Sequence, residues 1–75
     1  MNAPLRKPCA HVAEAGRIAE MVLRQQSQFS ARHVRIAKSI KFNIRHENYA
    51  AIRQSEEMDA ALVEMRDALQ EMGAL

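Results

Sequence analysis

Tryptophan is absent from this chain of 75 residues, and its only aromatic side chains are Phe29, Phe42 and Tyr49. Large rings bury much area per residue, so any core here has to be assembled from aliphatic side chains. Cysteine occurs once, at Cys9. One cysteine closes no intrachain disulfide, which excludes the disulfide-stapled class of small secreted domain and points to a reducing compartment. Proline is confined to Pro4 and Pro8, and glycine to Gly16 and Gly73. The two glycines stand too far apart to form a phosphate-cradling loop, and no proline forces a break after position 8. No stretch approaches the roughly 20 apolar residues of a membrane span. Arg6 and Lys7 are not followed by the apolar segment of a signal peptide, because His11, Glu14, Gly16 and Arg17 intervene. A cytoplasmic location is the expectation.

The reactive side chains are as sparse. Side-chain hydroxyls are limited to Ser27, Ser30, Ser39, Ser55 and Tyr49, with no Gly-x-Ser-x-Gly elbow. So short a chain also has little room for the roughly 300–1,000 Å³ cleft of a typical small-molecule site. Cys9, His11, His33 and His46 could together offer four metal ligands. Only Cys9-Ala10-His11 is closely spaced, however, whereas zinc sites use paired ligands such as Cys-x-x-Cys. No catalytic residue, metal site or cofactor is therefore expected. His33 falls on an apolar helix face, and His46 reads as a cation near a helix end.

What is present in quantity is apolar helix-forming sequence: 48% of the residues are hydrophobic, many of them alanine. Alanine favours helix and adds little buried area. A domain of this size has a thin stability margin, so self-association is the favoured supplement to a small core. The prolines place an extended or disordered arm at 1–9, followed by one helical domain at 10–75. Val12, Ala15, Ile18, Ala19 and Val22 recur at helical spacing and predict a first helix over 10–26. Gly16 within it costs about 1 kcal/mol relative to alanine but lets another helix approach closely. Polar residues 25–30 form a turn, with Ser30 placed to cap a second helix over 31–47. That helix is amphipathic, with Ile36, Ala37, Ile40 and Ile44 on one side and mostly cations elsewhere. A third helix is expected over 49–72, with Gly73 as its C-terminal cap residue. Ser55-Glu56-Glu57 is a strong start signal within it, since acidic residues in a first turn complement the helix dipole. The fold class is all-α, a three-helix domain. The alternative is a helical hairpin whose second helix runs unbroken from 31 to 72, and either form is expected to be a homodimer.

Two features could carry function. Residues 1–46 hold nine basic against two acidic residues, a net +7, while residues 47–75 hold two against seven, a net −5. Such an asymmetry bears on partners and association. Within the basic half, Arg35, Lys38, Phe42, Arg45 and Tyr49 are spaced 3, 4, 3, 4, so two aromatics stand among cations. With Arg32 and Lys41 they form the candidate surface for a protein partner or a nucleic acid, set against the plainer reading of a solvated face with rings packed inward. The second feature is the seam Met58, Leu62, Met65, Leu69 and Met72, spaced 4, 3, 4, 3 as in a coiled coil. It is the candidate dimer interface, unless it faces the chain's own helices. The expected function is a non-enzymatic regulator that binds a protein partner. The alternative is a dimeric nucleic-acid-binding regulator using helix 31–47 behind a helix-turn-helix-like segment at 18–40, which lacks the turn glycine usual in that motif. No membrane partner is expected.

Overall fold

The computed structural model describes residues 9–75, so the arm expected over 1–9 lies outside the described residues except for Cys9, the exposed N-cap position of the first helix. The order of elements is α1 (Ala10–Arg24), a single 3₁₀ turn (Gln26–Gln28), α2 (Ala31–Arg45), a short α3 (Tyr49–Arg53) and α4 (Glu56–Glu71). Among the described residues there is no strand. The domain is all-α, with three main helices and one short one.

The starts of α2 and α4 have the same chemical cause. The Ser30 hydroxyl accepts from the His33 amide at 3.1 Å, and the Ser55 hydroxyl accepts from the Met58 amide at 3.1 Å. Each satisfies one of the orphan amides of a first turn. Glu56, Glu57 and Asp59 add negative charge at the N-terminus of α4. At the other end of α4, the Ala74 amide donates to the Leu69 carbonyl and the Gly73 amide to that of Gln70. Gly73 sits at φ 76°, the left-handed position of a Schellman motif.

Two expectations need correction. The unbroken helix over 31–72 does not form, because α2 ends in a second Schellman motif with Glu47, at φ 55°, in the left-handed position. Its two bonds run from the Asn48 amide to the Asn43 carbonyl and from the Glu47 amide to the Ile44 carbonyl. The single helix expected over 49–72 is also divided. Ser55 takes an extended conformation (φ −95°, ψ 111°) as the cap of α4, which leaves α3 as one short helix. That break puts Ile52 into the core.

α1 and α2 form an antiparallel pair. Gly16 makes it close: a Cβ at this position would stand 2.8 Å from Ile44 Cδ1. α4 packs across both helices. The core combines Val12, Ile18 and Val22 of α1 with Ile36 and Ile40 of α2, Ile52 of α3, and Leu62, Met65 and Leu69 of α4. No polar or charged side chain is buried among the described residues, so the core is held by aliphatic packing alone.

Candidate functional site

The three inner residues of the methionine seam lie in the chain's own core. Met65 and Leu69 have no accessible surface and Leu62 has 6%. Met58 is half-buried against the same cluster, and only Met72, at 40%, is exposed. The 4-3-4-3 spacing thus marks the inner face of α4.

The basic face of α2 is resolved by the acids around it. Arg32 Nη1 donates to Glu64 Oε1 at 2.8 Å, and His33 Nε2 lies 2.7 Å from the same oxygen. The two ties join α2 to α4. Arg35 stands 3.7 Å from Glu57. On the opposite flank Lys41 Nζ donates to Glu20 at 2.6 Å, and Arg24 reaches the other oxygen of that carboxylate at 3.3 Å. The carboxyl of Glu64 is held below its ordinary pKa by its hydrogen bonds to His33 and Arg32, that of Glu20 by the hydrogen bond and charge of Lys41 and then by Arg24. Lys38 and Arg45 pair with no carboxylate among the described residues.

Between these two free cations stands Phe42, at 59% the most exposed large apolar side chain among the described residues. Its ring lies against that of His46, with centroids 4.3 Å apart and planes tilted by 47°. Ala31, Arg35, Lys38, Phe42 and Arg45 follow one another at intervals of 4, 3, 4 and 3 and all are exposed, which places them along one line of the helix. Tyr49 does not belong to that line. It opens α3, half-buried against the core. Beside the strip, between α1 and α2, runs an open groove of about 480 Å³, floored by Ala13, Gly16, Met21 and Ile44 and rimmed by Arg17, Glu20, Arg24 and Lys41.

The histidines are engaged separately: His11 with Asp59 at 3.2 Å, His33 with Glu64, and His46 with Phe42. No cluster of three or more His, Cys, Asp or Glu side chains is assembled among the described residues. No helix among them is long and apolar enough to cross a membrane.

Glu20 and Glu64 organise the cations of α2 and were not singled out by the sequence. The Glu20–Arg24 pair has the readable i, i+4 spacing. The ties from Glu64 span more than 30 residues and leave no local trace. The chain matches no protein family, no curated protein and no solved structure.

Proposed function

We propose that this is a non-catalytic binding domain whose outer α2 face, centred on Phe42 with Lys38 and Arg45, docks an acidic surface of a protein partner. The observation that carries the reading is the exposed Phe42 ring between two cations without acidic partners, on a helix whose other cations are occupied. Aromatic and arginine side chains dominate the energetics of protein interfaces, and flanking charges steer an oppositely charged partner and fix its register.

A nucleic-acid regulator has less support. A helix-turn-helix reads bases from the N-terminal part of its second helix. Here that part offers Arg32 and Arg35, which are engaged by Glu64 and Glu57. Glu56, Glu57 and Glu64 on the adjoining α4 would repel phosphate. The homodimer expected from the small core, if it forms, has to use surfaces other than the inner seam, because opening that seam would expose Met65 and Leu69.

The test is affinity capture from the native host, with and without nuclease, using the wild type and a Phe42→Ala/Arg45→Glu variant. The expected result is a protein retained after nuclease treatment and lost with the variant, while circular dichroism of the variant stays helical. A partner lost on nuclease treatment, or one held equally by both proteins, would overturn the reading.

A further inference from the structure

The charge separation along the sequence becomes a separation between faces. α4 carries its own exposed line, Glu56, Ala60, Val63, Asp67 and Gln70, at intervals of 4, 3, 4 and 3. At its centre is Val63, 49% exposed. Asp67 and Glu56 on this line, and Glu71 beside it, pair with no cation among the described residues. The outer line of α2 has the complementary charge: the same intervals, an exposed apolar ring in Phe42, and free cations on either side of it at Lys38 and Arg45. At about 1.5 Å per residue, Lys38 to Arg45 spans roughly 10 Å and Glu56 to Asp67 roughly 16 Å, so the two free cations fit within the length of the acidic stretch.

One chain cannot bring these lines together. Ile36 and Ile40 on α2, and Met65 and Leu69 on α4, are buried in the shared core, so the outer lines of both helices point away from it. The contact is available only between two copies. We propose that the outer face of α2 receives the outer face of α4 from a second copy of this chain, Phe42 packing against Val63 with Lys38 and Arg45 opposite the acids of α4. The two surfaces differ, so the contact is heterologous, and each copy can give one face and receive the other. The inference rests on the reading of α2 as a docking surface and names a second copy as its occupant. Two helix lines bury less than a standard stable interface, so the association is weak, reversible and weakened by salt.

The experiment uses two charge-reversed full-length chains, Lys38→Glu/Arg45→Glu and Asp67→Lys/Glu71→Lys. All four positions are exposed, and circular dichroism checks that both variants stay helical. In sedimentation equilibrium at high protein concentration and low salt, the wild type is expected to show an apparent mass that rises with concentration. Each variant alone should associate on the order of tenfold more weakly, because its two lines now carry like charge. The equimolar mixture should recover association, since the acidic α4 of the first fits the basic α2 of the second. A monomeric wild type, variants that associate as well as the wild type, or a mixture that stays dissociated would each overturn the proposal. A monomeric wild type that still captures a nuclease-resistant partner would sink self-association and leave the docking surface intact. Self-association that needs Lys38 and Arg45, beside capture that does not, would separate the two in the other direction.

Discussion

Glu47 occupies the one non-glycine left-handed position among the described residues, at φ 55°. A side chain with a Cβ is strained there by roughly 1–2 kcal/mol. The strain persists because the Schellman bonds to Asn43 and Ile44 end α2 at that point and turn the chain so that Ile52 reaches the core. Glu47→Gly is expected to stabilise the fold by about 1 kcal/mol, the relief of strain exceeding the extra freedom glycine gains when unfolded. Glu47→Ala, which keeps a Cβ, should give no such gain. Urea unfolding of the three proteins checks the pair, and equal stability of Gly and Ala at 47 would show that the position is unstrained. The contrast with Gly73 explains what the sequence could disclose. Both residues sit in the same motif, but glycine signals a left-handed position and glutamate does not, so Gly73 marked the end of α4, whereas an end of α2 at 47 had to stand beside the alternative of a helix unbroken to 72.

At the scale of elements, the approach of α1 to α2 turns on Gly16. Alanine there would add about 1 kcal/mol of helix propensity, but its Cβ would stand 2.8 Å from Ile44 Cδ1. Ile44 is half-buried in the floor of the open groove, so its methyl can move at some cost. Gly16→Ala alone is therefore expected to change stability by less than about 1 kcal/mol. In an Ile44→Val background, which lacks Cδ1, the same change should stabilise by close to the full 1 kcal/mol. Identical effects in both backgrounds would mean that the two positions do not meet. Periodicity served well for these helices because Val12, Ile18, Ile36 and Ile40 mark inner faces by spacing alone. It could not say whose face meets whose. The Met58–Met72 seam has coiled-coil spacing, yet Met65 and Leu69 fill this chain's own core. Tyr49 continued the rhythm of the basic strip on paper, but the turn at Glu47 carried it onto α3. Of the strip read from the sequence, Lys38, Phe42 and Arg45 stay together because they lie on one uninterrupted helix.

For the molecule as a whole, two surface carboxylates tie the helices to one another: Glu20 joins α1 to α2 through Lys41, and Glu64 joins α4 to α2 through Arg32 and His33. Both are held below the ordinary glutamate pKa by those partners. A carboxyl whose folded pKa is depressed binds fewer protons in the folded than in the unfolded chain, so it adds stability as pH rises through that interval. The contribution is complete above the ordinary glutamate value, about 4.3, and is lost as the pH falls through the depressed folded values. Stability from urea unfolding should therefore drop on acidification below that value. Salt should blunt the drop, since both pairs are solvent-exposed. Glu20→Gln/Glu64→Gln should be less stable than the wild type at neutral pH, and its stability should change less steeply with pH in the acid range. Curves that run parallel for the two proteins would mean that the ties of α2 through Glu20 and Glu64 contribute nothing to folding. If instead the wild type is the steeper, the same two acids that occupy Arg32, His33 and Lys41 hold α2 in place, while Lys38 and Arg45 on its outer face stay without a carboxylate partner.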